Sequence, residues 1–74
     1  MSAIDVKSEI SGRVFEIVAG PDDRIAEDEP IVILEAMKME IAVVAPCKGV
    51  VKQVLVGRED SIAEGQVVAI LEAI

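Results

Sequence analysis

No histidine, tryptophan or tyrosine occurs in this 74-residue chain, and cysteine and phenylalanine occur once each. The missing histidine excludes a His-based metal site and any nucleophile–histidine pair. With Cys47 as the only cysteine, an internal disulfide framework is excluded, and beside Pro46 it reads as a small apolar filler. Phe15 is the only aromatic, so the core must be Val, Ile, Leu, Ala and Met, a β-branched mixture that favours strands. No apolar run approaches the roughly 20 residues of a membrane span. The start, Met1-Ser2-Ala3-Ile4-Asp5, lacks the basic residues and long apolar stretch of a signal peptide. A soluble cytoplasmic protein with no membrane partner is the expectation. Neither a glycine-rich phosphate loop nor a catalytic constellation is present, so a non-catalytic chain is expected.

Positive charge is also scarce. Seven Lys and Arg face fourteen Asp and Glu, a net charge of −7. The excess is uneven: residues 1–37 carry nine acids against three bases, residues 38–74 five against four. This sign disfavours nucleic acid as a partner. It serves either the solubility of a chain that is 53% hydrophobic, or an acidic face that docks on basic enzyme surfaces.

What the chain does have is an internal repeat. Residues 11–37 overlay residues 48–74 without a gap, and eleven of the 27 paired positions are identical. Among them are Gly12/Gly49, Val14/Val51, Gly20/Gly57, Asp23/Asp60, Ile25/Ile62, Leu34/Leu71 and Glu35/Glu72. Lys38 falls at the join. With no linker or low-complexity stretch, residues 1–74 form one domain.

Strand-like runs recur at residues 4–7, 13–19, 31–37, 39–45, 50–56 and 67–73, with short extended pieces around Ile25 and Ile62. A helix over the central run is disfavoured by Pro30, Pro46 and the dominance of Val and Ile. Matching turns are expected at Gly20-Pro21-Asp22-Asp23 and Gly57-Arg58-Glu59-Asp60, with glycine free to take positive φ and Asp bonding local amides. The spacing Val14, Ile17, Ala19, repeated as Val51, Val54, Val56, predicts a bulge in both strands and leans Phe15 and Lys52 outward. Two four-strand units that cannot bury their faces alone close on each other. The expected fold is all-β: a flattened eight-stranded barrel or sandwich of two four-stranded antiparallel sheets with quasi-twofold symmetry. The join becomes a hairpin at one end and the termini meet at the other, which sets Lys38 at a tip.

That tip breaks a rule. A two-residue hairpin turn prefers Asn-Gly, Asp-Gly or Gly-Gly, because both central residues need positive φ. The join reads Ala36-Met37-Lys38-Met39, with no residue suited to that conformation. Rule-breaking at one point marks a site of function, and two methionines there offer an adaptable apolar surface for a partner. Read as solvated lysine and core methionines, the same residues carry no function; turn chemistry and spacing leave both readings open.

Glu35-Ala36-Met37-Lys38-Met39-Glu40 resembles the attachment sequence of biotinyl domains, the biotin carboxyl carrier protein family, whose hallmark is Ala-Met-Lys-Met. Gly12-x-Val14, Gly49-x-Val51 and Ala45-Pro46-x-x-Gly49 look like the family's other signatures, so the resemblance spans roughly residues 8–74. It implies the two-half flattened barrel, and biotin as a covalent cofactor on Lys38. It also implies loading by a biotin protein ligase from biotinyl-AMP, and service between the biotin carboxylase and carboxyltransferase of an enzyme such as acetyl-CoA carboxylase. Met37 and Met39, with Ala36, would be read by those partners; Glu35 would help present the hairpin, though its mate Glu72 gives it a structural component. The gapless repeat leaves no room for the protruding thumb of some bacterial carriers, so the resemblance is to the thumbless type. Asp28 stands where the second half has Gly65, which loosens the expected turn in the first half. A lipoyl carrier domain of a 2-oxo-acid dehydrogenase-type complex shares fold and lysine but usually has Asp before it, where this chain has Met37. An unmodified barrel adaptor has no need of the methionines.

Overall fold

The computed structural model describes residues 2–74. Eight strands follow in order: β1 Ala3–Lys7, β2 Gly12–Ile17, β3 Arg24–Ile25, β4 Pro30–Ala36, β5 Met39–Val44, β6 Gly49–Val54, β7 Ser61–Ile62 and β8 Val67–Ala73. They form two antiparallel four-stranded sheets, ordered β1-β8-β6-β3 and β5-β4-β2-β7. Adding 37 to a residue number carries β2 onto β6, β3 onto β7 and β4 onto β8, which is the quasi-twofold relation. The halves are not separate units, however. Each sheet draws strands from both: β1 and β3 pair with β8 and β6, and β2 pairs with β7.

The bulges fall where the apolar spacing put them. Val14 pairs with Leu34 and Glu16 with Ile33, leaving Phe15 as the extra residue; Val51 and Gln53 flank Lys52 in the same way against β8. Phe15 is accordingly 43% exposed, and the core is wholly aliphatic: Val6, Val14, Ile31, Val32, Leu34, Val51, Val68, Ala69 and Leu71 are each at most 2% exposed. A second pair of bulges leaves Ile31 and Val68 unpaired, so two successive residues turn inward in β4 and in β8. Cys47 packs half-buried against this core.

Three local expectations are corrected. The second and sixth strands stop at Ile17 and Val54 rather than at residues 19 and 56. Beyond Ile17 the amides of Val18 and Ala19 both donate to the Ile31 carbonyl, which ends the ladder. Positive φ in the matching turns is taken by Asp22 (73°) and Glu59 (70°), not by Gly20 or Gly57. Each glycine instead donates its amide to the Asp three residues on, Gly20 to Asp23 Oδ2 at 2.8 Å and Gly57 to Asp60 Oδ2 at 2.7 Å. Nor is the first-half turn loosened at Asp28. It takes φ 70° where Gly65 takes 84°, and its amide donates to the Ala45 carbonyl as that of Gly65 does to Ser8. Asp is among the side chains that enter this region most readily.

The molecule measures 36 × 17 × 17 Å. Ala73 N–H donates to the Ser2 carbonyl at 3.0 Å, so the two ends of the described chain lie together. β1 and β5 face each other where residues 7–10 approach residues 41–44. Their starts, Ala3 and Met39, therefore run in opposite directions along the long axis. The β4–β5 turn and the termini occupy opposite ends.

Candidate functional site

The ladder between β4 and β5 closes with Ala36 opposite Met39, leaving Met37 and Lys38 as a two-residue connection. Both have positive φ, 52° and 63°, so the turn is of the I′ kind that matches strand twist. Neither residue is glycine, asparagine or aspartate. A side chain with a β-carbon is strained there by about 1–2 kcal/mol, and the flanking ladder supplies the restraint that holds it. The sequence argument for an unsuitable turn is met in the geometry.

Lys38 is exposed at the apex, and among the described residues it makes no salt bridge or side-chain hydrogen bond. Met37 is 93% exposed and Met39 60%, so neither methionine belongs to the core. Lys38 is thus an amine in open solvent between two uncovered thioethers, at the apex of a paired hairpin, where it can be reached from outside.

Beneath the apex the supports are unequal. Ala36 is half-buried. Gly12 of β2 lies so close behind the hairpin that a β-carbon there would stand 2.8 Å from the Glu35 carbonyl oxygen and 3.3 Å from Ala36 Cβ. Arg13 Nη2 donates to Glu35 Oε1 at 2.9 Å, an exposed pair worth under about 1 kcal/mol. Glu35 also sits directly opposite Glu40, a like-charge juxtaposition across β4 and β5 that costs a little stability. Its repeat mate Glu72 pairs with Lys52 at 3.6 Å, so both glutamates tie their own sheets.

Arg13, the backing of the hairpin by Gly12 and the placing of Glu40 opposite Glu35 are the parts of the site that sequence reasoning missed. Gly12 was visible as half of a repeated pair and in the Gly12-x-Val14 signature, but with no sign that it lies against the hairpin. Arg13 matches Val50 and Glu40 lies outside the repeated segments, so the repeat carried no signal for either. Of the other repeated residues, Asp23 and Asp60 bind turn amides and Ile25 and Ile62 are buried, a structural role for all four. Glu27 and Glu64 are exposed. No group of three side chains suited to a metal ion occurs among the described residues.

Comparison with known proteins agrees with this geometry. The family model described as "Biotin-requiring enzyme" matches residues 5–71. The chain belongs to that family of biotinyl (biotin/lipoyl attachment) domains, with biotin as its covalent cofactor. It is 44% identical over 48 residues to the biotinylated protein TB7.3 homolog of Mycobacterium leprae, a match covering 65% of this chain and 68% of that protein. The urea carboxylase of Kluyveromyces lactis contains a segment that superposes on 97% of this chain with TM-score 0.92 and 32% identity, and that match spans 6% of the carboxylase. The lipoyl domain of the 2-oxoglutarate dehydrogenase complex from Azotobacter vinelandii superposes with TM-score 0.75 and 25% identity, covering 93% of this chain and 95% of that domain. Biotinyl domains of this kind are in general non-catalytic carrier parts of carboxylases. Within the described residues the first half carries no insertion relative to the second, which is the thumbless form.

Proposed function

We propose that Lys38 is the residue acylated by biotin, and that the chain serves as the biotin carboxyl carrier of a biotin-dependent carboxylase such as acetyl-CoA carboxylase. The observation that carries this reading is the strained apex: a solvent-exposed lysine in left-handed backbone, unpaired among the described residues, where stability alone favours Asn-Gly. When bound, biotin supplies a group that accepts and releases carboxyl between two reactions. The chain's own residues do the rest. Lys38 Nζ gives up a proton to a biotin protein ligase and forms the amide, which removes its charge and takes the domain from −7 to −8. Its four-carbon stem provides reach, while the β4–β5 ladder and Gly12 hold its root.

Met37, Met39 and Ala36 form the surface read by the ligase, the biotin carboxylase and the carboxyltransferase, with Glu35 setting the base of the hairpin. Met37 is almost fully available for such contact and Met39 more than half so; fully burying an exposed methionine stabilises a complex by about 1.5–3 kcal/mol. Tethering replaces a bimolecular encounter by one governed by effective concentration. The chain itself brings no bond-making group, and a cytoplasmic location suits its partners.

The test is co-expression with a biotin protein ligase, followed by intact mass and a streptavidin blot. Wild type gains one biotinyl group; Lys38→Arg gains none and unfolds at the same temperature. A biotinylated Lys38→Arg protein defeats the assignment. A lipoyl mass gain on wild type moves the reading to the lipoyl carrier, whose fold this chain shares.

A further inference from the structure

We infer that the thioethers of Met37 and Met39 form a reversible oxidation site that gates acylation of Lys38; the gating rests on the function proposed above. Three observations converge. First, composition leaves few competitors: the chain has no tryptophan, tyrosine or histidine, its one cysteine, Cys47, is half-buried against the core, and its third methionine, Met1, lies outside the described residues. Second, Met37 and Met39 are 93% and 60% exposed, so among the described residues they are the only exposed sulfur side chains. Third, the fold does not require sulfur at either place. Met37 is matched by Ile74 in the repeat, and neither methionine contributes to the buried core.

Among the described residues, a peroxide arriving from solvent therefore meets exposed sulfur only at the apex. The sulfur lone pair attacks the distal peroxide oxygen and the O–O bond breaks. The thioether, losing two electrons, becomes a sulfoxide, and the peroxide leaves as water once the proton is transferred. Each event converts a flexible apolar side chain into a polar one. Because both side chains lie outside the core, the barrel keeps its packing. What changes is the surface beside Lys38, where a partner that desolvates a thioether now has to desolvate a sulfoxide. Thiol-dependent methionine sulfoxide reductases reverse the step, taking the oxygen as water and leaving a disulfide on the reductant.

The experiment uses the unacylated full chain treated with hydrogen peroxide. Peptide mass analysis is expected to find one oxygen on each of Met37 and Met39 before any on Cys47, with the thermal midpoint unchanged. Initial acylation rates with a biotin protein ligase, ATP and biotin then fall at least about tenfold, the loss expected when one buried methionine contact is removed, and appear mainly as a raised KM. Treatment with the two stereospecific sulfoxide reductases restores the rate. Oxidation of Cys47 ahead of the methionines, or equal acylation of oxidised and reduced protein, overturns the inference and leaves Lys38 as the acceptor. Failure of the untreated chain to take biotin at Lys38 instead overturns the functional reading, and the gate with it.

Discussion

Met37→Asn combined with Lys38→Gly is expected to make the unacylated domain more stable. Both positions have left-handed backbone, and each side chain there is held roughly 1–2 kcal/mol above its relaxed conformation. Glycine removes that strain at position 38 but returns about 0.5–1 kcal/mol as extra freedom of the unfolded chain. Asparagine keeps part of the strain at position 37 and adds little entropy. Met37 is 93% exposed, so trimming it forfeits almost no burial. The net gain is about 1–1.5 kcal/mol, or a rise of roughly 4–12 °C in Tm for a domain of this size. Because the chain lacks tryptophan and tyrosine, unfolding is best followed by far-UV circular dichroism or calorimetry. Lys38→Ala is the control: it removes the charge but keeps the β-carbon, and should stay within about 0.5 kcal/mol of wild type. A double variant no more stable than that control would refute the idea that function holds this turn in a costly conformation.

Asp28→Gly should stabilise the domain by up to about 0.5–1 kcal/mol in a urea titration, since φ 70° suits glycine better, whereas Gly65→Ala should lose about 1 kcal/mol. Gly12→Ala should cost about 1–3 kcal/mol by pushing against the Glu35 carbonyl; Gly49→Ala, whose added β-carbon would crowd the Glu72 carbonyl more closely, should cost more. Only the first of these should also slow biotinylation, because only Gly12 backs the hairpin. Arg13→Ala should change stability by under about 1 kcal/mol, with the difference shrinking as salt is raised; a loss that persists in high salt points to packing by the arginine stem.

The repeat made most of this fold legible. A pattern written twice filters chance: a three-then-two spacing at Val14, Ile17 and Ala19 is ambiguous, but its recurrence at Val51, Val54 and Val56 identified two bulges and turned Phe15 outward before any coordinates. The tip was legible for the opposite reason, as a turn whose residues contradict its geometry. Strand pairing was not. β4 and β8 share nearly the same apolar pattern, and periodicity reports which face is buried, not which neighbour lies alongside. Both matching turns and their Asp–amide bonds were legible; what escaped was which residue takes positive φ, Asp22 and Glu59 rather than the glycines. The Arg13–Glu35 bond and the Glu35–Glu40 juxtaposition were invisible because they are pairwise, set by a register that no single residue displays.

The mixing of the halves also ties the hairpin to residues far along the chain. The hairpin carrying Lys38 is complete in the chain by Val44, yet a lone two-stranded hairpin is marginal and this one has an unfavourable turn. β4 leans on β2, whose far edge is covered by β7, and in the opposite sheet β8 lies between β1 and β6. The turn at Met37 and Lys38 is thus braced by a strand from beyond the join, since β7 borders the β2 on which β4 leans. A substitution far along the chain can loosen that apex without touching it.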